Sequence, residues 1–363
     1  MEHQHSRDIL SPVTCRVLPV LIDGLDEGLM RQARMRLDRR TKPLGSLGCL
    51  ETLAAQLVGI TRQMRPCLDQ KVIVTMAADH GVVEEGVSAY PQAVTAQMVA
   101  NFLQGGAGIN VLARHAGARV VVVDMGVASD LQPHPALVSR KVGHGTRNFT
   151  KGPAMTREQA ASAVQAGIGL AAEEAARGAD VFGTGDMGIG NTTASSAIAA
   201  VMTGAAVERV TGRGTGIDDA THQRKIGVIQ RALAVNAPDP SDPLDVLAKV
   251  GGFEIGGLAG VMLGAAQARR PVVIDGFISG AAALIATALA PQTGAYLIAS
   301  HRSQEAGHRV VLDHLRLWSL LDLDLRLGEG TGAALAMPIL EASCKILAEM
   351  ATFDEAGVDE KVQ

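Results

Sequence analysis

The fold of this chain is decided by the stretch VIVTMAADHG, residues 72–81. Its first six residues form a nearly continuous apolar run, which is typical of a strand covered on both faces. The run ends in the polar pair Asp79 and His80, followed by Gly81. This order predicts a strand of a parallel sheet with a polar loop at its carboxyl end.

The same pattern recurs along the chain at residues 119–124, 180–184, 271–275 and 295–299, each followed by glycine or polar residues. Segments with helical spacing of apolar residues lie between these runs. Because strands alternate with helices, we predict an α/β fold with a doubly wound, mostly parallel sheet. Residues 321–327 alternate apolar and polar, which predicts either a sixth strand or a short helix. The predicted helices are residues 25–39, 47–62 with Ser46 as N-cap, 95–103, 109–115, 157–177, 218–235, 242–250 and 254–269.

In a doubly wound sheet, ligands bind beyond the carboxyl ends of the strands. Glu329 lies between residues 321–327 and a small-residue helix predicted at residues 333–350, inside the stretch LGEGTG, residues 327–332. Glycines around a carboxylate let a ligand approach closely, and the helix that follows offers free N–H groups. In a second interpretation, Glu329 only caps that helix. The polar residues expected along this edge are Asp79, His80, Asp124, Asp186, Asp275, Ser300, His301 and Glu329.

Composition and charge exclude several classes of protein. The 363 residues are 47% hydrophobic, which is enough for a large core. A net charge of −4 and only six Phe, two Tyr and one Trp argue against nucleic-acid binding. Residues 1–8 are too polar for a signal peptide, and Arg269 and Arg270 break the most apolar later run before it could span a bilayer. We therefore expect a soluble cytoplasmic protein.

The cysteines and the common site motifs narrow the function further. Cys15, Cys49, Cys67 and Cys344 lack C-x-x-C spacing, so neither a zinc site nor a disulfide framework is indicated. No G-x-G-x-x-G follows the first strand, and no P-loop, H-E-x-x-H or G-x-S-x-G occurs. His301 and His308 stand seven residues apart on a predicted helix, where we expect a structural role.

Two glycine-rich turns suit a phosphate. Residues 188–193 precede a predicted helix and offer backbone N–H groups, two hydroxyls and a helix N-terminus. Residues 211–216 form the second turn, and Lys225 lies two helical turns into the following segment. The two turns indicate a phosphate-sugar site, in which Lys225 either meets the phosphate or lies in solvent.

Six longer motifs stand in order along residues 41–348. They are KPLGSL (42–47), ADHG (78–81), GDMGIGNTT (185–193), KVGGFE (249–254), DGF (275–277) and RLGEGTGAA (326–334). In this order they resemble the nicotinate-nucleotide:dimethylbenzimidazole phosphoribosyltransferase family. The resemblance implies transfer of phosphoribose from nicotinate mononucleotide to 5,6-dimethylbenzimidazole. The products would be nicotinate and α-ribazole 5′-phosphate, for the lower ligand of cobalamin.

The resemblance also implies an architecture and a set of site residues. It implies a homodimer and a Rossmann-like catalytic domain of residues 67–330, with a smaller helical domain built from residues 1–66 and 331–363. Glu329 would be the general base. Phosphate and ribose contacts would fall on Asp186, Gly188, Gly190, Asn191, Thr192, Thr193, Gly214, Lys225 and Ser303, and the base pocket on Ser88, Tyr90, Gln97, Met98 and Leu327.

The proposed chemistry suits these residue types. Nicotinate leaves from a cationic pyridinium and departs neutral at nitrogen, so no acid is needed. One base is enough: it accepts the azole N–H proton while the other ring nitrogen attacks the anomeric carbon, and burial would raise the pKa of Glu329 toward the working pH. Asp186 would stabilise positive charge on the sugar, and attack opposite the leaving group would invert the configuration. We expect no metal and no cofactor.

Three other functions fit parts of the sequence. A diphosphate-dependent phosphoribosyltransferase would have an adjacent acidic pair after a strand, whereas residues 121–125 supply only Asp124. A non-catalytic mononucleotide sensor would use the same loops without needing a carboxylate at their centre. A structural protein would leave the polar edge as solvated turns.

Overall fold

The computed structural model describes residues 20–214 and 216–359, which form a three-layer α/β structure around one sheet. Its strands are β1 (Lys71–Ala78), β2 (Ala118–Gly126), β3 (Leu137–Ser139), β4 (Val181–Met187), β5 (Val272–Ile274), β6 (Leu297–His301) and β7 (Ser319–Leu321). All neighbouring pairs are parallel, in the order β3-β2-β1-β4-β5-β6-β7. The chain builds outward from β1 to one edge and then from β4 to the other. The topological switch point therefore lies between β1 and β4.

Helices cover both faces of this sheet. They are α1 (Glu27–Asp38), α2 (Cys49–Thr61), α3 (Val94–Gln104), α4 (Gly108–Ala116), α5 (Arg157–Ala176), α6 (Asn191–Thr203), α7 (Val207–Val210), α8 (Asp219–Asn236), α9 (Pro243–Val250), α10 (Phe253–Gln267), α11 (Phe277–Leu289), α12 (Ala306–Leu315), α13 (Thr331–Glu349) and α14 (Phe353–Ala356). Short 3₁₀ helices occupy Gly81–Glu85 and Pro291–Tyr296.

The side chains of β1 show why its sequence is apolar on both faces, apart from Lys71 and Thr75. Val72, Val74 and Met76 pack into a core with α5, α6, α10 and α11, whereas Ile73 and Ala77 pack into a second core with α3, α4 and α13. Successive side chains of a strand point to opposite faces, so a strand with a core on each side needs apolar residues at both. The prediction of a strand covered on both faces is confirmed.

Glycines let α5 and α10 pack almost backbone to backbone. A Cβ at Gly167 of α5 would overlap the carbonyl oxygen of Gly257, and a Cβ at Gly260 of α10 would overlap that of Val164. The glycine content of α10 is therefore a packing requirement, which offsets the low helix propensity of glycine.

The helices α1 and α2 meet the end of α13 on one side of the molecule. Ala33 of α1 and Ala54 of α2 share a small core with Leu347 near the end of α13. The buried Arg40 guanidinium donates from Nη2 to the Leu347 carbonyl oxygen at 2.5 Å. The first half of α13 packs against the sheet instead. The division into domains of residues 1–66, 67–330 and 331–363 stays a prediction.

Two local predictions about strands are wrong. The third predicted strand does not stop at residue 184, because β4 continues to pair with β1 as far as Met187, opposite Ala77. Residues 321–327 form neither the predicted sixth strand nor a helix: β7 ends at Leu321, and the segment beyond it is irregular. Backbone hydrogen bonds from Arg302 to Leu321 and from Gln304 to Leu325 hold this segment beside β6.

Other local features were missed or assigned to the wrong residue. β3 was not predicted, since its three residues are too few to show a period. Ser46 does not cap the second helix, which begins one turn later, at Cys49, after Gly48 with a φ of 55°. The Leu47 amide donates to Glu51 Oε1 at 3.0 Å.

One described helix, α13, is long and apolar enough by length and composition to cross a bilayer. Its apolar side chains, such as Ala333, Met337 and Leu340, are buried in the core on one face of the sheet. The predicted membrane criterion was applied to the apolar run before Arg269 and Arg270, whereas the helix that meets it by length and composition is α13. The predicted absence of a signal peptide concerns residues 1–8, which lie outside the described residues, as does Cys15.

Candidate active site

A cavity of about 480 Å³ opens at the carboxyl edge of the sheet, beside the topological switch point. Asp186 near the end of β4, His301 at the end of β6 and Glu329 before α13 line it, so the prediction that these residues share one edge is confirmed. A smaller cavity of about 30 Å³ adjoins it. Of the predicted site residues, the larger cavity is lined by Tyr90, Met98, Asp186, Gly188, Asn191, Thr192, Gly214, Ser303, Leu327 and Glu329, and the smaller one also by Ser88, Gly190 and Lys225.

Glu329 is held in an unusual backbone conformation by three hydrogen bonds. Its φ is +65°, a left-handed value that costs a non-glycine residue about 1–2 kcal/mol. Its amide donates to the Asp186 carbonyl oxygen at 3.3 Å, and its own carbonyl accepts from Thr75 Oγ1 at 2.9 Å. Its carboxylate Oε2 accepts from the Ile109 amide at 3.1 Å. The turn is therefore tied to β1, β4 and α4, which fixes the carboxylate at the cavity wall.

The amides at the start of α13 are already occupied by a different carboxylate. Asp275, which follows β5, accepts from Gly330 at 3.1 Å through Oδ2 and from Gly332 at 2.7 Å through Oδ1. The expectation that these amides are free for a ligand is therefore wrong. The alternative that Glu329 caps α13 is also wrong, because its carboxylate bonds to the first turn of α4.

Burial changes the acidity of both carboxyl groups. Burial raises the pKa of Glu329, and the hydrogen bond from Ile109 opposes the rise. Burial raises the pKa of Asp275 to about 7, although the amides of Gly330 and Gly332 favour its charged form. A carboxylate base with a raised pKa is better matched to proton transfer near neutral pH than an ordinary glutamate.

Asp186 lies close to these carboxyl groups and has one unused oxygen. Its Oδ2 accepts from Asn191 Nδ2 at 2.9 Å, whereas its Oδ1 has no partner in the described part of the chain. Burial raises the pKa of Asp186 well above its usual range, and the charges of Asp275 and Glu254 raise it further. A partnerless carboxyl oxygen in the wall of a cavity is suited to accept a ligand hydroxyl.

Lys225 is the cation of the smaller cavity. It is 1% exposed, so the interpretation that it lies in solvent is wrong. Its Nζ donates to Thr192 Oγ1 at 2.8 Å and to the Gly212 carbonyl at 3.5 Å, which brings the two glycine-rich turns together. Burial lowers its pKa to about 8, and the nearby Glu305 opposes that shift.

Part of the first glycine-rich turn is committed to internal hydrogen bonds. The Ile189 amide donates to Thr95 Oγ1 at 3.1 Å, and the amides of Asn191 and Thr193 donate to carbonyls within the turn. These three groups are therefore less available to a phosphate than the sequence indicated. The Thr192 hydroxyl, the Lys225 ammonium and the N-terminal end of α6 remain at the cavity.

The buried side chains of His80 and Glu254 pack against the first glycine-rich turn. His80 Nε2 lies 2.7 Å from Glu254 Oε1, and both side chains are fully buried. Burial acts to lower the pKa of His80, but the charge and the hydrogen bond of Glu254 outweigh it, so the pKa of His80 is raised overall. Gly188 packs directly on this layer, where a Cβ would overlap the Ala78 carbonyl oxygen and contact the His80 ring.

The opposite end of the larger cavity is apolar. Val94 and Met98, one turn apart on α3, line it together with Tyr90, Met187 and Leu327. Tyr90 and Leu327 are 51% and 60% exposed, so this end is open at its mouth. Such a wall suits a flat, hydrophobic ring.

Two predicted site residues are not part of the wall. Gln97 is exposed on α3, and its neighbours Val94 and Met98 face the cavity instead. Thr193 is buried, and its hydroxyl has no partner among the residues described.

Several wall residues were missed, and the two histidines were misplaced. Phe277 and Arg326 stand inside motifs that had been recognised, DGF and RLGEGTGAA, but were not assigned to the site, whereas Ile278 and Glu305 carry no sequence signal of a site. Among the described residues that line the larger cavity, Arg326 is the one with a cationic side chain.

His301 and His308 do not share a helix, because His301 ends β6 and His308 lies in α12. No group of three His, Cys, Asp or Glu side chains in residues 20–214 and 216–359 is placed to hold a metal ion.

Comparisons with known proteins agree on one family. A family model described as phosphoribosyltransferase matches residues 22–358. A nicotinate-nucleotide–dimethylbenzimidazole phosphoribosyltransferase from Roseiflexus sp. (strain RS-1) is 61% identical over 98% of this chain and 99% of its own length. The same-named protein from Geotalea uraniireducens is 60% identical over 93% and 96%. A crystal structure of CobT from Thermus thermophilus matches with a TM-score of 0.89 and 50% identity, covering 92% of this chain and all of that one.

Proposed function

Since this chain belongs to the nicotinate-nucleotide–dimethylbenzimidazole phosphoribosyltransferase family, we propose that the cavity beside Glu329 is where it transfers phosphoribose. The donor is nicotinate mononucleotide, the acceptor is 5,6-dimethylbenzimidazole, and the products are nicotinate and α-ribazole 5′-phosphate for the lower ligand of cobalamin. The observation that carries the assignment of the site is the position of the Glu329 carboxylate. It is buried in the wall between an apolar end and a cationic end.

Glu329 acts as the general base. The acceptor ring lies against Met98 and Leu327, so that its N–H points to the carboxylate. Its other nitrogen attacks the anomeric carbon, the N–H proton passes to Glu329, and the bond to nicotinate breaks with its electron pair returning to the pyridinium nitrogen. The leaving group is neutral at nitrogen and requires no proton. Attack on the opposite face converts the β-nucleotide into an α-product.

The phosphate binds at the cationic end of the cavity. Lys225 and Thr192 meet there, and Ser303 and Gly214 line the approach. A buried ammonium is a strong partner for a phosphate because low dielectric strengthens the attraction. Asp186 faces the sugar between the two ends, where its charged form would stabilise the positive charge that builds on the ribose.

The nicotinate carboxylate calls for a second cation. Arg326 is exposed at the rim of the larger cavity, and no carboxylate among the described residues forms an ion pair with it. A guanidinium recognises a carboxylate through two parallel hydrogen bonds. We assign Arg326 to the carboxylate of the donor, which distinguishes nicotinate from nicotinamide mononucleotide.

The protein is further proposed to act as a homodimer in the cytoplasm. The exposed Tyr90 and Leu327 at the mouth of the cavity form an apolar opening that a second copy would cover. Cys49 and Cys67 are exposed free thiols, which suits a reducing compartment. No observation favours the alternative of a non-catalytic sensor.

The test is turnover by the purified protein. Nicotinate mononucleotide is incubated with a panel of benzimidazoles, and the products are separated by chromatography. We expect α-ribazole 5′-phosphate and an equal amount of nicotinate. Binding of the donor by calorimetry without any product would favour the sensor, and no binding at all would remove the phosphate-sugar site.

A further inference from the structure

The imidazole of His301 presents only one of its nitrogens to the larger cavity. On one edge of the ring, Nδ1 lies 2.9 Å from Ser300 Oγ and 3.8 Å from Asp275 Oδ1. The side chain is 2% exposed and packs closely on Gly332, where no Cβ would fit beside the ring. The opposite edge, with Nε2, borders the cavity near Gly276.

The hydrogen-bond network fixes the tautomer of this ring. Ser300 Oγ donates its single proton to the Asp275 carbonyl oxygen at 3.1 Å, so it can only accept from His301. The proton of the ring must then sit on Nδ1, where the Asp275 carboxylate also favours it. Burial lowers the pKa of His301 to about 4, so the ring is neutral at neutral pH. Nε2 therefore carries a lone pair and acts as a hydrogen-bond acceptor.

The place of this acceptor in the cavity indicates its ligand. The ring stands next to Ser303 and lines the same cavity as Asp186 and Glu329, which adjoins the cationic end with Lys225. A mononucleotide that spans these two ends has its sugar in the middle. The sugar carries two hydroxyl donors, and Asp186 Oδ1 is one partnerless acceptor for them. His301 Nε2 supplies a second one.

We propose that His301 binds the donor substrate by accepting a hydrogen bond at Nε2 from a ribose hydroxyl. This inference rests on the proposed function and adds a ribose-binding residue to it. A neutral acceptor suits this position, since a further carboxylate beside Asp186 and Glu329 would add a like charge and make their ionisation still more costly. It also holds the hydroxyl in the same way across the working pH range, because the ring does not titrate there.

The test is a double cycle in which a hydroxyl of the substrate and the side chain of residue 301 are changed separately and together. kcat/KM is measured for nicotinate mononucleotide and for its 2′-deoxy and 3′-deoxy analogues, with the wild type and with His301→Asn. Asparagine keeps an amide donor toward Ser300 but does not reach the position of Nε2. We expect one of the two analogues to lose about three- to tenfold with the wild type. With His301→Asn, that loss should shrink to nearly onefold. The intrinsic change in reactivity of a deoxy sugar is common to both proteins and cancels in the cycle.

Two further variants separate a contact from a structural effect. His301→Gln places an amide oxygen near the position of Nε2 and should restore part of the selectivity against the deoxy analogue. His314→Gln, on the exposed end of α12, should keep the full wild-type loss. The inference is overturned if the losses for both analogues are the same in wild type and His301→Asn, or if neither analogue loses activity with the wild type. In those cases wild-type turnover with nicotinate mononucleotide still supports the proposed function, whereas absence of turnover overturns that function itself.

Discussion

The carboxylate of Glu329 accepts a hydrogen bond from the Ile109 amide at 3.1 Å, across 220 residues of sequence. This bond uses Oε2 and attaches the carboxylate to the first turn of α4. The carboxylate lines the cavity, so its other oxygen is the one available to an incoming ring. One oxygen thus positions the carboxylate, and the other accepts the proton of the incoming ring.

Replacing Glu329 by Gln should therefore remove turnover without unfolding the protein. The amide oxygen of glutamine can still accept from Ile109, but it cannot take a proton, and loss of a general base costs about 10²- to 10⁴-fold. Steady-state rates and a thermal melt measure the two effects. Glu341→Gln, on the partly exposed side of α13, is the matched control and should keep its rate. A near-wild-type rate for Glu329→Gln would remove this residue from the mechanism.

The rate should depend on pH through the same group. Because burial raises the pKa of Glu329, its protonated and inactive form persists to a higher pH than in an ordinary glutamate. Activity should fall as the pH drops through this raised pKa. A profile of kcat/KM for the acceptor should thus show an acid limb above the pH at which a free glutamate titrates. An acid limb at or below the pH of a free glutamate would contradict the role of burial.

Lys225 should produce a basic limb in the profile for the donor. Its pKa of about 8 lies below the usual 10.5, and only the ammonium form attracts the phosphate. As the pH rises through about 8, kcat/KM for nicotinate mononucleotide should fall. Lys225→Met should lack this limb and bind the donor about 10- to 100-fold more weakly at pH 7. Calorimetry with Lys345→Met, whose lysine is exposed on α13, supplies the control. Unchanged affinity in Lys225→Met would separate this residue from the phosphate.

Gly185→Ala should damage both stability and rate. A Cβ at Gly185 would overlap the Glu329 carbonyl oxygen, so the turn that carries the base must move. We expect a loss of about 1–3 kcal/mol in the free energy of unfolding, as for other overpacked sites, and a lower kcat. Gly169→Ala is the matched control: it lies inside α5 with open space around it and should stabilise by about 0.5–1 kcal/mol. Denaturant unfolding compares the two, and equal stabilities would contradict the clash.

Arg326→Gln should change the choice of donor. If its guanidinium holds the nicotinate carboxylate, kcat/KM for nicotinate mononucleotide should fall about three- to tenfold, a modest figure because the side chain is exposed. The rate with nicotinamide mononucleotide should not fall. Arg309→Gln, on the exposed side of α12, should alter neither. A parallel loss with both donors would place Arg326 outside the recognition of the carboxylate.

The main strands could be predicted from the sequence because their burial leaves a strong local signal. β1 has a core on each face, so apart from Lys71 and Thr75 its positions are apolar, and the polar residues beyond it mark its carboxyl end. β3 and β7 are edge strands of three residues, and their sequence carries no such constraint. Residues 322–327 alternate like a strand, but the neighbouring strand β6 ends at His301, so the backbone bond from Gln304 to Leu325 does not extend into a ladder.

Only the parts of the candidate site that lie in or near sequence motifs could be predicted. Asp186, Lys225 and Glu329 stand in or beside glycine-rich stretches, and the structure brings all three to adjoining cavities. The partners that orient them could not be predicted, because they are backbone amides and distant acids. Ile109 holds Glu329, and Asp275 takes the amides that seemed free at the start of α13. These contacts depend on which strands become neighbours.

The contact between α1, α2 and the end of α13 has a consequence for how the protein is made. Arg40 bonds to a carbonyl 307 residues further along, and the small core around Ala33 is incomplete until the helix that carries Leu347 exists. A nascent polypeptide on the ribosome must therefore carry the α1–α2 pair unfinished until α13 has emerged, since domains form as their parts emerge. The turn that holds the base directly precedes α13, so the ability to react appears at the same late stage as this small core.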